Sequence, residues 1–213
     1  MDKILYPAQS KYLNQFKDQN DVLIKEMEKY AAEHNVPILN WQSAAFLEIL
    51  IRMINPKRVL EIGTAIAYSS IRIARNLKKK GIVHTIEKSK DNIVLAKGYI
   101  KKSGVEEKIK IMAGNAFEIM PELEKKYDFI FLDADKNEYS WLFELSIVLL
   151  KKGGVIMVDN LLWHGHAAVE KVPAKYKTSR EYIRDFNKEF MANPRLKASI
   201  IPVGDGLGIG VKI

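Results

Sequence analysis

Apolar positions along the chain follow two different periods, and the change falls near residue 58. Before it, Tyr12, Phe16, Leu23, Met27 and Tyr30 recur at helical spacing with charges between them, predicting one helix over residues 11–33. His34-Asn35-Val36-Pro37 ends that helix, because proline pushes the residue before it out of the α region. Phe46, Leu47, Leu50 and Ile51 mark a second helix over 42–54, closed by Asn55-Pro56. Beyond residue 58, short apolar runs alternate with amphipathic stretches. Strands are expected at 58–62, 82–87, 108–113, 128–132 and 154–158, with helices at 68–77, 90–102, 116–123 and 139–150. Such alternation builds right-handed βαβ units around a parallel sheet. A helix at 180–191 follows, and strands at 196–201 and 207–213 flank Pro202-Val203-Gly204-Asp205-Gly206, turn chemistry that predicts a hairpin. The pattern reads as a single domain, 1–213: a helical cap over 1–57 and a seven-stranded, mostly parallel α/β core over 58–213. The cap helices either cover the sheet, form a lid or supply a dimer face.

Composition narrows the class. A chain of 213 residues with 47% hydrophobic and 28% charged positions can bury a substantial core. No apolar run is long enough to span a membrane, and Met1-Asp2-Lys3-Ile4-Leu5-Tyr6-Pro7 has no secretory h-region, so a cytoplasmic location is expected. The absence of cysteine excludes disulfides, thiolate zinc sites and a cysteine nucleophile. Net charge is +8, from 34 Lys+Arg against 26 Asp+Glu. This permits a polyanionic partner such as RNA without requiring one, since the lysines are spread in short runs from Lys78-Lys79-Lys80 to Lys151-Lys152.

Candidate chemistry gathers where strands end. Asp133-Ala134-Asp135-Lys136 follows one apolar run, and Asp159-Asn160 follows the next. Carboxylates at the exits of neighbouring parallel strands line the crevice where open α/β sheets bind ligands. Two aspartates and an amide form an all-oxygen set suited to a hard cation such as Mg²⁺. The first strand runs through Glu61-Ile62-Gly63 into a helix, and Glu87 closes the second strand. Glycine lets backbone approach a cofactor, and an acid at the second strand end can accept bonds from a ribose diol. The Gly-x-Gly-x-x-Gly fingerprint is missing, which disfavours a nicotinamide oxidoreductase. Asn115, at the exit of the third strand, is either a helix N-cap or an adenine contact, and the two are compatible. His164-Gly165-His166 lacks further ligands of transition-metal type.

Glu61-Ile62-Gly63-Thr64-Ala65-Ile66-Ala67-Tyr68-Ser69, Phe131-Leu132-Asp133-Ala134-Asp135-Lys136 and Val158-Asp159-Asn160 together resemble the cation-dependent O-methyltransferases, the catechol and caffeoyl-CoA group. A narrower resemblance, carried by residues 30–38 and 200–207, is to the bacterial tRNA 5-hydroxyuridine methyltransferases. The resemblance implies a Rossmann-like class I methyltransferase fold with S-adenosylmethionine as donor. It implies Asp133, Asp159 and Asn160 as metal ligands, with Lys136 as general base and Asp133 beside it in the catalytic set. It places Leu39, Glu61, Gly63, Ser69, Glu87, Asn115, Ala116 and Asp133 at cofactor-binding positions. Asp135 matches a cofactor contact of the caffeoyl-CoA branch that the tRNA branch need not keep. Ala67 departs from the glycine of many relatives, which bears on cofactor affinity if that backbone has φ > 0.

Methyl transfer to oxygen needs an aligned, deprotonated acceptor, and a chelated cation supplies both orientation and acidity. A catechol offers two adjacent oxygens, and 5-hydroxyuridine offers its hydroxyl beside the C4 carbonyl. The expected activity is therefore Mg²⁺-dependent O-methylation of 5-hydroxyuridine in tRNA. A small catechol-like phenol is the alternative acceptor, and a non-catalytic RNA- or nucleotide-binding domain is a more remote reading. A homodimer is expected by analogy with relatives.

Overall fold

The computed structural model describes residues 5–213, so the reading of the first residues falls partly outside the described part of the chain. One seven-stranded sheet organises it, in the order β3-β2-β1-β4-β5-β7-β6. The parallel strands are β1 (Arg58–Ile62), β2 (Ile82–Glu87), β3 (Ile109–Ala113), β4 (Tyr127–Leu132) and β5 (Leu150–Val158). β6 (Leu196–Ile201) and β7 (Leu207–Lys212) form the expected hairpin, with β7 inserted antiparallel between β5 and β6. The fold is a Rossmann-like doubly wound arrangement closed by a C-terminal antiparallel hairpin.

Both faces of the central strands are covered, which is why their sequences read as unbroken apolar runs. Side chains alternate across the sheet. Val59, Phe129, Phe131 and Met157 face one core with α2 (Val22–His34), α3 (Trp41–Ile54), α4 (Tyr68–Asn76) and α5 (Lys90–Ser103). Leu60, Ile62, Ile130, Leu132 and Ile156 face the other, with α7 (Tyr139–Leu149) and α8 (Lys177–Ala192). Each of the first helices has local signals at its ends. Asp21 caps α2 through Ile24 N–H at 3.1 Å, Asn40 caps α3 through Gln42 N–H at 2.9 Å, and Asn35 and Asn55 close them in the left-handed region.

The single helix expected over 11–33 is in fact two. α1 (Pro7–Leu13) and a following 3₁₀ turn end before residue 17, and α2 starts afresh at Val22. Asp18 and Asp21 spend their side chains on local backbone N–H groups, Asn20 and Ile24, which favours a turn and a cap over helix continuation. No α1 residue is buried, and Tyr12 and Phe16 stand exposed. Residues 116–123 are α6 (Ala116–Ile119) followed by a 3₁₀ turn, because Pro121 cannot supply an α-helical N–H donor. Strand β5 begins at Leu150 rather than residue 154, with an irregularity in register opposite residues 127–129. Among the described residues, no helix is long and apolar enough to cross a membrane.

Candidate active site

The parallel ladder continues one residue beyond the strand ends. Gly63 N–H donates to Ile86 O (3.1 Å), Asp133 N–H to Ile62 O (3.0 Å), and Asp159 N–H to Leu132 O (3.2 Å). These bonds set Gly63, Asp133 and Asp159 side by side along the carboxyl edge of the sheet. At Gly63, φ is +101°, and a Cβ there would sit 1.9 Å from the Asp133 carbonyl oxygen. Only glycine permits this approach.

Asp159 is buried, and its Oδ1 lacks a hydrogen-bond partner. Burial pushes its carboxyl well above the usual range, and the neighbouring Asp133 carboxylate pushes it further. Asp133 is half-buried and is also raised by burial, opposed by Lys136. Lys136 Nζ donates to Asn160 Oδ1 (2.7 Å), Tyr139 OH (2.6 Å) and Ala134 O (3.2 Å), and stands 3.9 Å from Asp133 Oδ1. Burial lowers the Lys136 ammonium below its ordinary pKa, against the upward pull of Asp133 and Asp159. The structure thus brings Asp133, Lys136, Asp159 and Asn160 together.

The positions expected from sequence to bind a cofactor have differing environments. Glu61 is fully buried; Ser70 Oγ donates to its Oε2 while Oε1 has no partner. Burial raises the Glu61 carboxyl to about 7, against the lowering effect of the Ser70 hydrogen bond. Glu87 accepts from Ala65 N–H (2.9 Å) and Ser89 N–H (2.8 Å), tying the glycine loop to the end of β2. Ala67 does adopt the left-handed region, at φ 68°, the conformation that disfavours a side chain. Leu39 is buried between α2 and α3, Ser69 lies in the first turn of α4, and Ala116 opens α6. Asn115 is the N-cap of α6, accepting from Phe117 N–H at 3.0 Å. Asp135 points away from Lys136: it is exposed and pairs with Lys88 at 2.9 Å.

Three groups at the site escaped the sequence reading. Tyr139 lies under Lys136, accepting from Nζ and donating to Asp159 O at 3.0 Å. Its position three residues after Lys136, on the first helical turn, was the available signal. Ser70, next to the expected Ser69, is the residue bonded to Glu61. Asp205, read as turn chemistry and as part of a resembling segment but not as a site group, accepts from Asn160 Nδ2 (3.2 Å) and from His164 N–H. Trp163 is also close, its ring 5.6 Å from Lys136 Nζ. His166 stacks on Tyr176 at 4.7 Å, while His164 Nδ1 stands 3.5 Å from Asp205 Oδ2.

A doubly covered, mostly parallel sheet with a glycine loop after β1 and an Asp/Lys/Asp/Asn cluster at its carboxyl edge defines a Rossmann-like S-adenosylmethionine-dependent O-methyltransferase. The family model described as O-methyltransferase matches residues 14–213, and the chain belongs to that family. Caffeoyl-CoA O-methyltransferase of Medicago sativa is 35% identical over 198 residues, covering 87% of this chain and 80% of the relative. The crystal structure of a putative caffeoyl-CoA O-methyltransferase from Staphylococcus aureus matches with a TM-score of 0.89 at 31% identity, over 97% of this chain and all of that one (100%). The O-methyltransferase from Bacillus cereus, solved in complex with SAH, matches with a TM-score of 0.83 at 27% identity, over 96% and 97% of the two chains.

Proposed function

We propose that this enzyme methylates the hydroxyl of 5-hydroxyuridine in tRNA, using S-adenosylmethionine and a divalent cation such as Mg²⁺ held by Asp133, Asp159 and Asn160. One observation carries the cation: the Asp159 carboxyl is buried with an oxygen that no donor meets, beside a second carboxyl. An orphaned buried carboxylate oxygen is costly unless a positive charge faces it. Asn160, which follows Asp159, adds an amide oxygen to the two carboxylates, an all-oxygen set that suits a hard cation. When bound, such a cation lowers the pKa of a coordinated hydroxyl and fixes its direction.

The chain's own residues supply the remaining steps. Lys136, whose ammonium burial makes easier to deprotonate, takes the proton of the acceptor hydroxyl once its own has been released. Tyr139 and the Ala134 carbonyl hold Nζ in place for that transfer. Leu39, Glu61, Gly63, Ser69, Glu87, Asn115 and Ala116 form the donor-binding side, with Glu87 offering its remaining lone pairs to a ribose diol.

Two features support tRNA as acceptor. One of the two segments that resemble the tRNA branch, residues 200–207, reaches the site: its Asp205 accepts from Asn160 Nδ2. A net charge of +8 also favours a polyanion. The likeness to caffeoyl-CoA enzymes favours a second reading, a small catechol-like phenol. The test is methylation with radiolabelled donor, offered undermethylated tRNA and, separately, a catechol, each with and without EDTA. Label is expected in tRNA and abolished by EDTA. Label in the catechol alone overturns the tRNA reading, and EDTA-resistant transfer overturns the cation.

A further inference from the structure

Asn160 sits between a donor and an acceptor. An ammonium can only donate and a carboxylate can only accept. Lys136 Nζ lies 2.7 Å from Asn160 Oδ1, and Asp205 Oδ2 lies 3.2 Å from Asn160 Nδ2. The amide therefore has one satisfied orientation, with its oxygen turned toward Lys136 and the Asp133 side. Asp205 is itself held: it is largely buried, and its Oδ1 accepts from His164 N–H.

Backbone geometry explains why Asp205 can reach across. Asn160, Trp163 and His164 all have positive φ, of 61°, 47° and 53°, so the chain doubles back tightly after β5. That turn is stitched to the β6–β7 connection by Leu161 N–H to Gly206 O and Leu162 N–H to Asp205 O, both 2.9 Å. Gly206 is required there, since a Cβ would meet Leu162 N at 2.8 Å.

We infer that Asp205 is a positioning residue: by fixing the Asn160 carboxamide, it keeps the amide oxygen facing the reaction site and its nitrogen away. The inference rests on Asn160 being a cation ligand. An amide presented nitrogen-first would repel both a metal ion and Lys136. Charge and shape make a sharp contrast available. D205N preserves size, and its oxygen can still accept from His164 N–H. Its NH₂ would then oppose Asn160 Nδ2, and the cheapest relief is to flip Asn160. The reciprocal protein N160D/D205N restores one donor and one acceptor across the pair, leaving a carboxylate oxygen toward the site.

The experiment is Mg²⁺ titration by calorimetry on wild type, D205N, N160D and N160D/D205N, with melting curves and hydrogen exchange of the Asn160 carboxamide in metal-free wild type and D205N. D205N should bind Mg²⁺ about 10–100-fold more weakly, and its Asn160 amide should exchange about tenfold faster. N160D/D205N should bind Mg²⁺ more tightly than N160D and D205N together predict if their effects were independent. Wild-type affinity and unchanged exchange in D205N would overturn the role. Wild type that takes up no Mg²⁺ sinks the cation reading alone, and the exchange rates then decide the positioning. Should D205N fail to fold, D205A, which also removes the acceptor facing Asn160 Nδ2, carries the same titration and exchange; wild-type affinity and exchange there refute the inference.

Discussion

Glu61 allows the electrostatics of this site to be measured as stability. Its carboxyl is completely removed from water, with one oxygen unpartnered, and burial moves its pKa from 4.5 to about 7. The folded state therefore keeps a proton that the unfolded chain releases across this window. A raised carboxyl pKa stabilises the fold most fully below the unfolded value, and that contribution disappears as pH rises through the folded value. The whole rise corresponds to roughly 3 kcal/mol, of which about 2.5 kcal/mol falls between about pH 5 and about pH 8. E61Q resembles the protonated acid and cannot titrate. Unfolding free energies from urea titrations of the ligand-free proteins, taken at both pH values, should show E61Q gaining on wild type by that amount at the higher pH. Differencing cancels the other titrating groups. Wild type and E61Q running parallel in pH would refute the argument that burial controls this carboxyl.

Other substitutions test separate parts of the argument. G63A forces a Cβ to 1.9 Å from the Asp133 carbonyl at a positive φ, so it should cost more than about 3 kcal/mol in urea unfolding. S43A removes a fully buried hydroxyl that has no partner, and should raise stability by about 1 kcal/mol, read as a higher melting temperature. Y139F strips one acceptor from Lys136 and the donor from the Asp159 carbonyl. It should destabilise by about 1–2 kcal/mol and lower kcat more than KM in the methylation assay.

Much of the architecture was legible because the controlling signals are local. The strands 58–62 and 82–87 match β1 and β2 to the residue, since each is an apolar run bounded by charged or breaking residues. Asp133 and Asp159-Asn160 could be paired from sequence because parallel strands deliver their ends to one edge. The N-terminal helix failed at residues 17–21, where two aspartates bond local backbone and outweigh an apolar period that continues past them. Asp135 stands two residues from Asp133 in the chain, yet its side chain is exposed and pairs with Lys88.

What the residues determined alone was the alternation of strand and helix, the glycine entry to α4 and the acidic strand ends, all set by periodicity and steric limits within a few positions. Tertiary structure alone decided which distant groups complete the site. Asp205 is 45 positions from Asn160 in the chain, and only the antiparallel insertion of β7 beside β5 brings its loop over that edge. Burial, too, is a property of the packed sheet: the same carboxyl that is an ordinary acid in the extended chain becomes, at Glu61, a group that resists ionisation.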